Sequence, residues 1–150
     1  MPHFLREFPN RPDAHVYKAL LVDGVSRDAK ALTDWVLQPR TTYYHPHDDI
    51  VIGTTTDTAV VRALTEPIIE TSSAQDTPPH PTPAVLVWTG IANPADFMAG
   101  ESCNGWSDST SLSTGRWGRP TVTDGSAFGT DVPFDCGGFN QFRLYCVEQP

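Results

Sequence analysis

Val85-Leu86-Val87-Trp88-Thr89-Gly90, then Ser102-Cys103-Asn104-Gly105-Trp106, then Asp135-Cys136 and Arg143-Leu144-Tyr145-Cys146-Val147-Glu148 are the pieces on which the fold turns. They hold all three cysteines of the chain. They set two short apolar strands on either side of a long loop rich in Gly, Ser, Thr and Asp. Ordering such a loop is costly in chain entropy unless its ends are tied. A bridge between Cys103 and Cys136 would tie them; two buried thiols are the alternative. A scaffold that holds a loop suits binding better than catalysis.

Working outward, residues 84–88 form the most convincing strand and 141–147 the last one. The loop 107–135 contains a predicted short strand at 120–123 and a turn at Asp124-Gly125. Upstream, 15–22 reads as a buried strand or short helix, stopped by Asp23-Gly24. Residues 28–37 predict a short helix, with Asp28 as N-cap and Ala29, Ala31, Leu32, Trp35 and Val36 as its apolar stripe. Thr41-Thr42-Tyr43-Tyr44 and Ile50-Val51-Ile52-Gly53 flank His45-Pro46-His47-Asp48-Asp49, a hairpin pattern. Residues 58–69 are apolar but interrupted by Pro67, and 71–83 are a polar, Pro-rich connection. Residues 1–15 read as an irregular arm and 16–150 as a single domain.

The composition agrees. The 150 residues include 14 Pro and 11 Gly, which favour short strands and many turns over long helices. The formal charge of −8 repels nucleic acid and anionic membrane, so neither is an expected partner. No apolar run reaches the length of a membrane-spanning helix, so membrane insertion is not expected. The segment Met1-Pro2-His3-Phe4-Leu5-Arg6-Glu7 lacks a signal-peptide core. No Cys-x-x-Cys occurs, which weakens zinc and thioredoxin-type readings. Cys146 lies in an apolar run and reads as a buried, reduced thiol.

Trp88-Thr89-Gly90, Cys103-Asn104-Gly105-Trp106, Asp135-Cys136 and Leu144-Tyr145-Cys146-Val147-Glu148 resemble the C-terminal half of the endostatin and C-type-lectin-like fold. Tyr17-Lys18-Ala19-Leu20-Leu21-Val22-Asp23-Gly24, Asp34-Trp35-Val36-Leu37, Thr41-Thr42-Tyr43-Tyr44 and Val51-Ile52-Gly53-Thr54-Thr55 are similar to an uncharacterised bacterial family. That family occurs in secreted and surface proteins, including spirochaete lipoproteins, and is itself endostatin-like. The resemblance spans roughly residues 17–148. It implies an α+β domain with small antiparallel sheets, one or two short helices and long loops. It also implies nested disulfides, the inner pair mapping to Cys103 and Cys136. The outer pair would join Cys146 to an N-terminal cysteine that this sequence lacks. The family's first strand and helix are also missing before Tyr17. Phe4, Leu5 and Phe8, or a second copy of the chain, are therefore expected to cover the face formed by 16–22 and the strand around Cys146.

His45, His47, Asp48 and Asp49 are potential metal ligands, but Pro46 and the turn favour a solvated hairpin tip. His3 and His15 are poorly spaced for an N-terminal zinc site. Asp108, Asp124, Asp131 and Asp135 are scattered, which suits turns better than calcium. No metal and no cofactor is expected. The best surface candidate is Gly115-Arg116-Trp117-Gly118-Arg119-Pro120, an aromatic between two arginines. Trp117 folding back to cap the core is the competing reading, while Trp35, Trp88 and Trp106 read as core. No Gly-x-Ser-x-Gly, His-Glu-x-x-His or phosphate loop is present, so an enzyme is not expected.

The sequence thus predicts a secreted or surface-displayed binding module. Its ligand would be an extracellular protein or glycan, held by the 104–135 loop through Arg116, Trp117, Arg119, Asp108 and Asp124. The alternative is a structural subunit that self-assembles, as a homo-oligomer, through an open N-terminal edge.

Overall fold

The computed structural model describes residues 4–5, 16–46, 48–69, 85–138 and 142–150. The Pro-rich stretch 71–83 and His3, Phe8, His15 and His47 lie outside the described residues. The architecture is a set of small sheets with little helix. The first sheet joins the two ends of the described chain. Strand β12 (Cys146–Glu148) runs between β1 (Phe4–Leu5) and β2 (Tyr17–Ala19), antiparallel to both. Leu5 pairs with Cys146, and Cys146 with Ala19. The backbone of Phe4 and Leu5 thus pairs along the edge of the strand around Cys146.

The anticipated hairpin forms as β3 (Thr42–Tyr44) and β4 (Val51–Thr54). Tyr43 and Ile52 point inward from it and are fully buried. A second sheet has order β11-β5-β9, from Arg143–Leu144, Val87–Trp88 and Trp117–Gly118. Strand β11 runs parallel to β5, a departure from the all-antiparallel expectation. A parallel neighbour needs a long crossover, and the chain between residues 88 and 143 supplies one. Two small pairs complete the set: β6 (Ile91–Asn93) with β7 (Met98–Ala99), and β8 (Thr114–Gly115) with β10 (Phe134–Asp135).

Between these sheets sits one apolar core. Trp35 meets Phe97 edge-on at 5.8 Å, Phe97 meets Phe128 at 4.9 Å, and Phe128 meets Tyr145 at 5.9 Å. Polar groups inside this core are matched. The Tyr145 hydroxyl donates to the Ala127 carbonyl at 2.6 Å, Trp35 Nε1 to Ala59 O at 3.0 Å, and Thr89 Oγ1 to Phe128 O at 2.6 Å. Such pairing removes the desolvation penalty of an orphaned polar atom. Residues 58–69 contribute Ala59, Val60, Val61, Leu64 and Ile68 to this core without forming a strand.

The helix expected over 28–37 is absent. Asp28 does accept from Lys30 N and Ala31 N, as an N-cap would. The backbone then closes on itself: Asp28 N donates to Thr33 O and Thr33 N to Asp28 O. Leu32 and Asp34 take positive φ, and Asp34 is fixed by Lys18 at 2.6 Å and Arg27 at 2.9 Å. Trp35, Val36 and Leu37 are all buried in succession, which one face of a helix does not allow. The strand expected at 120–123 is also absent. There the carbonyls of Pro120 and Thr123 accept from Ile69 N and Leu64 N, which docks the segment on 64–69.

The turn at Asp23-Gly24 forms around the Asp23 carboxylate. Its Oδ1 accepts from the N–H groups of Val25, Ser26 and Arg27 at 2.8, 2.8 and 2.9 Å, and its Oδ2 from the Ser26 hydroxyl. The Arg27 N–H, then the Ser26 hydroxyl, pull this carboxyl from an ordinary 3.8 down to about 2. A depressed folded-state pKa gives stability that is complete above the unfolded value and lost as pH falls through the folded one. The chain should therefore lose stability between pH 3.8 and about 2 through this group. Asp23→Asn should show a smaller loss over that window in urea unfolding midpoints. An equal loss in both proteins would remove Asp23 from the acid transition.

Candidate functional site: an aromatic sheet face

Strand β5 has two faces with different fates. Val87 points into the core and is fully buried. Trp88, the next residue, points to the opposite face, as the period of two demands. In register beside it lie Trp117 on β9 and Leu144 on β11. Trp88 stacks on Phe142 with centroids 3.9 Å apart and planes 15° apart. Trp106 leans on the same Trp88 at 6.2 Å, and Phe134 reaches Phe142 at 5.1 Å. All these rings are half-buried, while Leu144 is 45% exposed. The result is a second aromatic cluster on the outer side of the sheet, separate from the main core.

Trp106 is seated by its backbone. Cys103, Asn104, Gly105 and Trp106 form a single helical turn, α1 (Cys103–Trp106), with φ of 51°, 56°, 67° and 64°. Four consecutive positive φ values make this turn left-handed. Cys103 and Trp106 each cost roughly 1–2 kcal/mol in that region, while Asn and Gly tolerate it. Several contacts hold it there. Cys103 is bridged to Cys136, as expected, across a sequence separation of 33. A bridge over that span contributes about 3–4 kcal/mol in the chain-entropy account. Trp106 Nε1 donates to Val22 O at 3.1 Å, and Trp106 N to Ser102 O at 2.6 Å. Gly90 makes room: at its φ of 77°, a Cβ would sit 2.1 Å from Val22 O and 2.9 Å from the Trp106 ring. Cys146 takes no part in the bridge.

The loop expected over 107–135 is laced into this framework rather than free. Its strands β8, β9 and β10 each take a partner, and a 3-10 turn covers Gly125–Ala127. Of the predicted binding residues, Arg116 is engaged in holding the loop. Its guanidinium forms a two-pronged pair with Glu101 and donates to Thr130 O at 3.1 Å, with only 15% of its side chain exposed. The Arg116 hydrogen bond also holds the Glu101 carboxyl below its usual range. Trp117 lies in β9, half-buried, with Arg119 stacked over its ring at 5.5 Å. Trp117 Nε1 is buried with no hydrogen-bond partner among the described residues. Asp124 caps the 3-10 turn through Ser126 N at 2.8 Å, near Arg119. Asp108 lies apart and organises its own turn through Thr110 N and Ser113 Oγ, both at 2.8 Å. Arg119, Trp117 and Asp124 thus come together, whereas Asp108 does not join them.

The other candidates resolve differently. His45 Nε2 pairs with Pro67 O at 2.8 Å. Among the described residues, no three His, Cys, Asp or Glu side chains gather as a metal site requires. An open hollow of about 450 Å³ lies between Thr56, Asp57, Thr58 and Arg62, remote in sequence from the aromatic residues. Its Asp57 is already paired with Arg40. Sequence reading missed Phe134, Phe142 and Leu144 as partners of Trp88. The signal was present in 142–147: Tyr145 and Val147 alternate inward, which sends Phe142 and Leu144 outward.

Comparison with known proteins gives one positive finding. The chain matches the family described as "Protein of unknown function (DUF1554)" over residues 5–123 and belongs to it. No curated protein and no solved structure matches.

Two substitutions separate the tryptophans. Trp106→Phe should cost about 1–3 kcal/mol, because it leaves Val22 O buried without its donor. Trp117→Phe should be neutral or stabilise by up to about 1 kcal/mol, because it keeps a ring and removes an unpaired N–H. Urea unfolding of both variants measures the difference, and equal costs would contradict the assignment.

Proposed function

We propose, for this member of a family of unknown function (DUF1554), a secreted or cell-surface binding module. The observation that carries the reading is the half-buried ring cluster of Trp88, Trp106 and Phe142, with Trp117 in register beside Trp88 and Arg119 over the Trp117 ring. Rings held by packing present apolar area at small entropic cost, and Trp and Arg dominate interface energetics. The ligand is an extracellular protein or glycan, gripped on the 104–135 side of the sheet by Trp117 and Arg119, with Asp124 at the margin. Arg116 and Asp108 serve this surface by shaping the loop. The reading is non-catalytic and needs no cofactor.

A location outside the cytosol is supported by the Cys103–Cys136 bridge, since such bonds persist in oxidising compartments. No helix among the described residues is long and apolar enough to cross a membrane. The finer fold reading, an endostatin-like and C-type-lectin-like domain, is supported by the inner-type bridge around the loop and by the small sheets. The little helix present is a departure from that pattern. Self-assembly through an N-terminal edge is the second reading, since β1 and β2 are the outer strands of the sheet around β12.

An array of glycans and extracellular-matrix proteins tests the proposal. A bound member should lose about tenfold or more in affinity with Trp117→Ala or Arg119→Ala, as hot-spot residues do. Unchanged affinity in both variants would move the site elsewhere. A stable oligomer by light scattering, with no array signal, would favour the structural subunit.

A further inference from the structure

The left-handed turn contains Asn104-Gly105, the residue pair best suited to backbone cyclisation, because glycine places no side chain beside the attacking nitrogen. Both residues are exposed, and a Cβ built on Gly105 would meet nothing within 4 Å. In the reaction the Gly105 nitrogen bonds to Asn104 Cγ, the Cγ–Nδ2 bond breaks, and ammonia leaves with the proton given up by the amide. Water then opens the five-membered imide. Attack at Cγ gives aspartate, and attack at the backbone carbonyl gives isoaspartate. Closure requires the Gly105 nitrogen to lie on the same side of the Cα–C bond as Cβ.

The turn forbids that arrangement. Asn104 has φ 56° and ψ 53°. With the tetrahedral geometry of an L-residue, that ψ sets the next nitrogen nearly opposite Cβ, as far from Cγ as rotation allows. The same nitrogen donates its hydrogen to Ser102 Oγ at 3.1 Å. Two neighbours, Cys103 and Trp106, hold positive φ that their side chains disfavour. The turn is therefore kept by its attachments: Ser107 Oγ donates to Asn104 O at 2.6 Å, and the covalent cross-link beside Asn104 is the Cys103–Cys136 bond.

We propose that Asn104 is a latent modification site, shielded by the left-handed turn while the Cys103–Cys136 bridge is closed and released when the bridge is opened. A dithiol reductant supplies the two electrons and two protons that convert the bridge to two thiols, and is itself oxidised to a disulfide. The turn can then rotate ψ of Asn104 and cyclise. The product places a carboxylate next to Cys103, and its isoaspartate form lengthens the backbone of the turn that seats Trp106 on Val22. The inference is independent of the proposed binding role.

Peptide mapping of the full chain, aged at mildly alkaline pH with and without prior reduction and alkylation, tests this. Asn93 is an internal reference, because Pro94 offers no N–H for cyclisation. Conversion at Asn104 should be about tenfold or more faster in the reduced chain, the factor matching roughly 1.4 kcal/mol of lost restraint. Ser102→Ala, with the bridge closed and the fold checked by circular dichroism, should also speed conversion, because the Gly105 nitrogen is no longer held. Equal rates in oxidised and reduced chains, or in wild type and Ser102→Ala, would overturn the assignment.

Discussion

The bond between Cys103 and Cys136 is the constraint on which the C-terminal half depends. One end of it sits in a turn of the wrong hand for L-residues, and the other end follows strand β10. Ser102 bridges to Gly115, and Gly115 pairs with Phe134, so the bond and the β8–β10 pair reinforce each other. The geometry leaves no slack. A Cβ on Gly115 would lie 2.8 Å from Cys103 Sγ and 2.9 Å from the Trp88 ring. The aromatic face is therefore built directly on the bridge, with no layer between.

That arrangement divides the molecule into two unequal apolar bodies. The main core, around Phe97, Phe128, Tyr43 and Tyr145, is sealed, and its hydroxyl and indole groups have partners. The second body, around Trp88 and Phe142, stays half open, and beside it in register lies Trp117 with its Nε1 unpaired. Burying an N–H without a partner runs against the rule that governs the core. Departures from local rules concentrate where a surface serves a purpose other than stability. The left-handed Trp106 and the unpaired Trp117 flank the same strand, β5.

Much of this was legible in the residues. The hairpin on either side of His45 followed from its β-rich flanks, and the closing of the loop followed from the positions of Cys103 and Cys136. The helix at 28–37 misled because its stripe was real, yet three successive residues, Trp35, Val36 and Leu37, are buried together, which one face of a helix does not allow. Asp34, next to them, is held by Lys18 from sixteen residues away in the chain and by Arg27. The strand pieces inside the long loop were invisible for a similar reason. Each is two residues long, and its partner lies far away, as Trp117 shows on Trp88. The arginine pair was read as one surface, yet Arg116 faces Glu101 and only Arg119 covers Trp117.

The sheet that joins β12 to β1 and β2 has a consequence for the order of events during folding. Its partners are separated by almost the entire chain, whereas β3–β4 and β6–β7 close over short spans. Distant pairings form late, because loop closure opposes them until other contacts are in place. Until β12 docks, three thiols share one fluctuating coil, and any two can join by exchange. Correct pairing is then a race. Cys103 must find Cys136 before Cys146 does, and docking of β12 ends the contest by withdrawing Cys146 into the middle of a sheet. The last strand thus bears on a bond whose nearer cysteine, Cys136, lies ten residues before Cys146 and whose farther one lies 33 residues before that.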